Sequence, residues 1–422
     1  MPQAAHRLGL MVLLDVVYNH FGPDGNYLHR YAPPFFSDRH RTAWGDAMNF
    51  DGPGSDTVRE FFIHNALYWL HEYRFDGLRF DAVHAMLDDS EPDIMASLSQ
   101  RVRAACPGRH VHLVLENDSN DASRLAAPGT AGRFEGQWNG DFHHALHVLL
   151  TGERDGYYAE YDQPVAQLAR CLTHGFAREG GPHNAEHARP RQAARSTLPL
   201  GTTVNFLQNH DQIGNRAFGE RLLALADPQA VQLAAAILLL APAPPLLFMG
   251  EEFGSTTPFL YFADWDGDLR EAVREGRRRE FAHFPRYAEA AARDELPDPC
   301  SQQTFARCKL DWAQAAGSRA WRELHAALLA VRRRVLAPHL PRLLTGRHEA
   351  RMPGARMLQV RWRFDGGEAL DMCVNLGPQP QAVATDLPAL QDAALLHAVG
   401  EMSGTTAGAW SGRWHWGRES AR

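Results

Sequence analysis

Three carboxylates stand out by position: Asp81, Glu116 and Asp211. Asp81 closes the run Gly-Leu-Arg-Phe-Asp, and Glu116 closes Val-Leu-Glu 35 residues later. One strand-helix unit is about that long, so the two residues are expected on adjacent parallel strands. Neighbouring strand ends bring carboxyl groups within the ~5–5.5 Å that a retaining glycosidase uses. In that chemistry one carboxylate attacks the anomeric carbon, while the other protonates the leaving oxygen and then activates water. Asp211 lies 95 residues beyond Glu116, which leaves room for an intervening strand. A third carboxylate stabilises positive charge on the ring and raises the proton donor's pKa by like-charge proximity. Arg79 precedes Asp81 by two residues, on the same side of the strand, where a guanidinium keeps a nucleophile ionised. His20 and His210 fall in short loops just past strand ends, suited to hydrogen-bonding sugar hydroxyls.

The elements that must hold these residues are legible as short apolar runs, each ending in a polar or acidic residue. They are Met11–His20, Gly77–Ala85, Val111–Asp118, Thr202–Asp211 and Pro244–Gly254, with a weaker one at Arg133–Asn139. Continuous apolar runs indicate strands buried on both faces of a parallel sheet. Helical stretches lie between them, at Asp56–Tyr73, Ile94–Ala105 and Pro228–Leu240. Strand-helix alternation of this kind gives a parallel α/β sheet, and in a barrel of that kind the chemistry sits at the carboxyl ends of the strands. Ala320–Arg334 reads as a closing helix. After it, alternating runs at Met357–Phe364 and Leu370–Leu376 predict a small antiparallel β domain. The expected division is therefore a catalytic barrel over residues 1–335 and a β-sandwich-like domain over 336–422. The stretch Gly152–Arg195, polar and rich in Arg, His and Gly, is expected to mix helix with exposed insertion.

Composition narrows the function classes. The chain has 422 residues, 45% hydrophobic and 22% charged, as a globular protein with a real core requires. A net charge of -7 leaves no basic footprint, which argues against a nucleic-acid partner. Lys309 is the sole lysine, so lysine-based covalent chemistry would rest on one residue. Five scattered cysteines without a C-x-x-C pair fit neither a disulfide framework nor a zinc site, and point to a reducing cytoplasm. Neither Leu8–Val17 nor Val231–Gly250 reads as a leader or a membrane span: Asp15 interrupts the first and prolines break the second. No G-x-S-x-G, H-E-x-x-H, G-x-G-x-x-G or P-loop pattern occurs, and neither cofactor nor metal is expected.

Four segments carry a family resemblance: DVVYNH (Asp15–His20), GLRFDAVH (Gly77–His84), LVLEND (Leu113–Asp118) and FLQNHD (Phe206–Asp211). Each is weak alone, but the four in this order resemble the signature segments of the α-amylase family. The resemblance implies Asp81 as nucleophile, Glu116 as acid/base and Asp211 as transition-state stabiliser. It also implies that His20, Arg79 and His210 contact the sugar or the nucleophile. The spelling of Gly136–Glu153, Gln208–Arg221 and Pro245–Trp265 is similar to the trehalohydrolase branch of that family, which cuts the α-1,4 bond beside the terminal trehalose of maltooligosyltrehalose. A branching enzyme or another glucanase of the same family is the alternative, and an inactive fragment a third. In the family, the DVVYNH segment lies on the third barrel strand, whereas here it begins at Asp15. The expected fold is thus a (β/α)8 TIM barrel without its first two strand-helix units or the preceding β-sandwich. Such a barrel exposes strand edges.

Other residues are read more plainly. Asp15 and Asn19 are taken as loop-holding residues, although some relatives use the position of Asn19 for calcium. His143, His144 and His147, at helical spacing, are read as a helix lining the cleft rather than a metal site. Trp138, with Asn139 and Asp141, offers a sugar-stacking platform, a buried structural tryptophan being the equal alternative. Glu251 and Glu252 are expected to fix a loop, with a cleft-facing role left open.

Overall fold

Each of the six apolar runs forms a parallel strand: β1 (Leu13–Val16), β2 (Gly77–Phe80), β3 (His112–Leu115), β4 (Gly136–Asn139), β5 (Thr203–Phe206) and β6 (Pro245–Leu246). The computed structural model describes residues 1–22, 24–125, 133–180, 192–287, 289, 293–383 and 387–420. The chain divides into two compact units, one of Met1–Trp138 with Arg178–Val204, the other of Asn139–Ala177 with Asn205–Arg422.

In the first unit β1, β2, β3 and β4 pair in that order, all parallel. The crossovers between β1 and β3 are made by helices α1 (Ser55–His71) and α2 (Ile94–Ala105), close to the stretches expected. In α1, Val58, Phe62, Ile63, Ala66 and Leu70 are buried, an i, i+4 spacing that turns one face inward. Asp93 starts α2 by accepting the Ala96 amide at 2.8 Å, which satisfies a donor the helix leaves orphaned. Leu78, Phe80, Leu113 and Leu115 are fully buried, each stabilising the unit by roughly 1.5–3 kcal/mol. Gly77 opens β2 where a Cβ would run into the carbonyl of His112 on β3, so this close approach admits only glycine. β1 is the exception to double-sided burial, with Leu13 41% exposed.

The second unit contains α3 (Gly140–Thr151), α4 (Pro164–His174), the β5–β6 pairing, α5 (Pro228–Leu240), α6 (Gly267–Phe281) and α7 (Arg319–Val331). Helix α5 is buried almost all round, with Leu233 to Leu240 inaccessible, and Pro242, Pro244 and Pro245 turn the chain into β6. This is the buried helix, Pro-rich turn and strand read from the sequence. Among the described residues no helix is long and apolar enough to cross a membrane. α4 occupies part of the stretch expected to mix helix with insertion, while 181–191 lie outside the described residues. An antiparallel sheet follows α7, of β7 (Glu349–Gly354), β8 (Met357–Arg363), β9 (Glu368–Asn375), β10 (Gln391–Val399) and β11 (Ser411–Arg418), in the order β7-β8-β9-β11-β10. The indole of Trp362 donates to the Leu172 carbonyl at 2.7 Å, pinning this sheet to α4. All five cysteines are unpaired.

Candidate active site

Parallel register decides which side chains meet in the first unit. Asp15 lies opposite Arg79, and Phe80 opposite Leu115. The ladder runs one residue further on each side, because Asp81 N donates to Val16 O and Glu116 N to Phe80 O, both at 3.0 Å. Asp81 and Glu116 therefore emerge side by side from the carboxyl ends of β2 and β3.

Arg79 joins them. Its Nη1 donates to Asp81 Oδ1 and to Asp15 Oδ1, each at 2.8 Å, and its Nη2 lies 2.6 Å from Glu116 Oε2. The guanidinium is buried, and burial alone would weaken its charge. The carboxylates of Glu116, Asp15 and Asp81 more than offset that and raise its pKa. Its plane also lies 4.2 Å from the ring of Trp138, a cation–π contact. Trp138 is half-buried, and one of its faces is taken by Arg79 rather than offered to a sugar.

Two further groups steady the pair. Asn19, buried, donates through Nδ2 to Asp81 O at 3.1 Å and to Asp81 Oδ2 at 3.2 Å. Ala82 stands at φ 40°, ψ 51°, a left-handed conformation costing a non-glycine residue roughly 1–2 kcal/mol. The amide so turned donates to Glu116 Oε2 at 3.1 Å. His20 Nδ1 lies 2.5 Å from Asn19 Oδ1, an acceptor only, so the proton resides on Nδ1. The ring stacks on Trp44 at 5.5 Å, and burial lowers its pKa while Asp81 opposes. His20 is thus a neutral imidazole one hydrogen bond removed from Asp81.

Asp211 and His210 belong to the second unit. They open a short helix, His210–Gly214, capped by Asn209, whose Oδ1 accepts from Asp211 N at 2.9 Å and Gln212 N at 3.2 Å. Both side chains are 41% exposed, with His210 Nε2 3.6 Å from Asp211 Oδ1.

Asp141 is corrected. It is fully buried, and its two oxygens accept from the Tyr161 hydroxyl at 2.5 Å and the Ala177 amide at 2.9 Å. A carboxylate so enclosed holds α3 to its surroundings and presents nothing to a sugar. Two of the three α3 histidines pack inward as well. His143 and His147 are buried, and His144 stacks on Tyr161 at 4.9 Å.

Sequence reading missed several partners: Asn19 as a direct ligand of Asp81, Ala82 as a strained donor, and Asp15 as a partner of Arg79. Only the alternation of β1 against β2 could have signalled the last. It also missed the grouping of His40, Asp51 and Asp89, whose ligand atoms lie within 4.8 Å of one another. Arg39 already bridges Asp51 and Asp89 at 3.1 and 2.9 Å, so their charge is met within the protein.

Comparison with known proteins shows where this geometry belongs. A malto-oligosyltrehalose trehalohydrolase of Deinococcus radiodurans is 40% identical over 388 residues, covering 90% of this chain and 61% of the relative. The enzyme of that name from Arthrobacter ramosus is 38% identical over 412 residues, covering 96% of this chain and 68% of its own. The chain belongs to the malto-oligosyltrehalose trehalohydrolase family. It spans 52–68% of the length of the five relatives of that name from Deinococcus, Rhizobium, Saccharolobus, Arthrobacter and Mycobacterium. A provisionally named alpha amylase from Salmonella typhimurium superposes with a TM-score of 0.89 at 38% identity, covering 99% of this chain and 69% of that one. The trehalohydrolase fold is therefore that of an α-amylase-type barrel followed by an antiparallel β domain. A Geobacillus thermoleovorans alpha-amylase, at 16% identity and a TM-score of 0.59, shares that fold. Residues 345–414, within the C-terminal sheet, match a domain of unknown function, DUF3459.

Proposed function

We propose that this chain is the catalytic portion of a retaining α-glycosidase that cleaves the α-1,4 bond beside the terminal trehalose of maltooligosyltrehalose and releases trehalose. The observation that carries the reading is the pair of carboxylates, Asp81 and Glu116, issuing from adjacent strands onto one buried guanidinium. The activity named for relatives about 40% identical supports the substrate.

Asp81 is the nucleophile. Arg79 and Asn19 both hydrogen-bond its carboxylate and aim it. It attacks the anomeric carbon, forming a glycosyl ester as the bond to the leaving oxygen breaks. Glu116 delivers the proton to that oxygen. Its contact with Arg79 favours the ionised form, so protonation requires that contact to give way, leaving Arg79 on Asp81 and Asp15. The ionised Glu116 then takes a proton from water, which attacks the ester and restores Asp81. Two inversions retain the α configuration. Asp211 stabilises the positive charge of the ring in both steps. His20, Arg79 and His210 contact the sugar or orient the nucleophile, and Trp138 is the candidate stacking surface beside them. The unpaired cysteines support a reducing, cytoplasmic setting.

The test is incubation with maltooligosyltrehalose and measurement of free trehalose. Release of trehalose with net retention at the anomeric carbon is expected. Cutting of linear maltooligosaccharides alone would overturn the substrate assignment. New α-1,6 branches would favour a branching enzyme, the activity named for a Bacillus caldolyticus relative 28% identical over 306 residues. A folded chain without any turnover would leave a glucan-binding fragment at most.

A further inference from the structure

The segment Leu207–Leu222, which carries His210 and Asp211, is short of regular structure yet held at several points by side chains of the second unit. His143 Nδ1 reaches the Leu207 carbonyl at 2.5 Å. Gln208 Oε1 accepts the Leu222 amide at 3.0 Å, which closes the segment on itself. Between these ends, Arg216 is the anchor. Its Nη1 and Nη2 donate to the two oxygens of Glu153 at 2.8 and 2.9 Å, and its Nε donates to Glu220 at 3.1 Å.

Glu153 lies just beyond α3, 63 residues from Arg216, so the pair ties the segment to the helix that follows β4. His147 of α3 adds a second donor, Nε2 lying 2.7 Å from Glu153 Oε2, while its ring stacks on Tyr158 at 4.1 Å. The Arg216 side chain is 15% exposed and that of His147 4%, so both donors are largely shielded, while the Glu153 carboxylate they hold is 36% exposed. A forked guanidinium on a carboxylate fixes orientation as well as distance, because both N–H···O bonds must form together. Arg216 is two residues past the short helix that begins at His210 and Asp211. Displacing it carries that helix along.

We propose that the Glu153–Arg216 pair is a positioning device for Asp211: it sets where the Asp211 carboxylate sits, and through that the rate, without either residue touching substrate. The inference rests on the reading of Asp211 as a charge-stabilising carboxylate. A misplacement of ~1 Å at such a group costs on the order of a hundredfold in rate.

The test uses this chain with Arg216→Lys, Glu153→Gln, Asp211→Asn and the double variant Arg216→Lys/Asp211→Asn. Lysine keeps the charge but lacks the fork. Arg216→Lys and Glu153→Gln should lower kcat on maltooligosyltrehalose roughly 10–100-fold while KM stays within about twofold. In the Asp211→Asn background, Arg216→Lys should cost less than about twofold, because the group it positions is already gone. Equal losses in both backgrounds, or an unchanged kcat, overturn the proposal. Full activity of Asp211→Asn overturns instead the reading of Asp211. Amide hydrogen exchange decides the anchor independently of turnover. Arg216→Lys should speed exchange across residues 207–216 at least about tenfold while α5 stays protected. Unchanged exchange there sinks the anchor even if the chain has no activity.

Discussion

Replacing Glu251 by glutamine should make the protein more stable, and increasingly so as pH rises. Glu251 begins a turn just past β6, where its Oε2 accepts the Phe248 amide at 3.1 Å. Burial pushes its carboxyl up to about 8, against the hydrogen bonds of Gln208 and Phe248 and the charge of Arg221, with Glu252 adding to the rise. Arg221 lowers it only in part; its Nε and Nη1 donate to the carbonyls of Thr257 and Met249, at 2.5 and 2.8 Å. In the unfolded chain the same carboxyl titrates near its ordinary 4.5. Between these two values the folded state holds a proton that the unfolded state has released. The slope of stability against pH is then negative, up to about 1.4 kcal/mol per pH unit. Wild type loses this stability from about pH 4.5 upward, and the loss levels off above about pH 8. Glutamine keeps the shape and the Phe248 hydrogen bond but has no proton to lose. Integrated from about pH 5.5 to about pH 7.5, the gap between variant and wild type should widen by roughly 2.5 kcal/mol. Urea unfolding of both proteins at a series of pH values, followed by circular dichroism, reads this gap directly. A gap constant within about 0.5 kcal/mol over that range would refute the reasoning.

Glu116→Gln should suppress hydrolysis of maltooligosyltrehalose yet retain a rapid first step on an aryl α-glucoside with a good leaving group, seen as a burst of phenolate. Loss of both alike removes the acid role. Arg79→Lys keeps one charge but cannot serve Asp15, Asp81 and Glu116 together, so kcat should fall at least about a hundredfold with the fold retained by circular dichroism. An active Arg79→Lys enzyme would show that the three-way contact is dispensable. Arg332 donates to the carbonyls of Leu239, Ala241, Pro242 and Ala243 at 2.5–3.2 Å, closing the C-terminus of α5. Arg332→Met leaves those carbonyls unmet and should cost on the order of 2–4 kcal/mol in urea unfolding; a change below about 0.5 kcal/mol would show that they find other donors.

The sequence disclosed its elements well where one physical rule governed them. A parallel strand buried on both faces must be apolar throughout, so six apolar runs, those carrying Asp81, Glu116 and Asp211 among them, announced six strands and their carboxyl ends. Helix α5 was legible for the same reason, since its apolar residues leave no polar face. Side-chain partners were another matter. Spacing alone placed Trp138 and Asp141 near the chemistry, but not which way each turned. Trp138 gives one face to Arg79, and Asp141 is sealed beneath Tyr161 and Ala177. The three histidines of α3 look alike in sequence, yet His143 and His147 are buried while His144 lies nearer the surface.

What the sequence determined by itself was the inventory: which carboxylates close which strands, in what order, and that Asp81 and Glu116 would be neighbours. Those follow from local hydrophobic pattern and chain length, which need no knowledge of distant residues. What the tertiary structure alone decided was the charge arrangement among them. Arg79 meets Asp15, Asp81 and Glu116 because parallel register sets three strands side by side. Arg216 meets Glu153 because α3 and the Asp211 segment fold against each other. Apart from Arg79 and Asp81, such contacts depend on Coulomb and hydrogen-bond geometry at a few ångströms between residues 37 to 64 positions apart, and no local pattern encodes those distances.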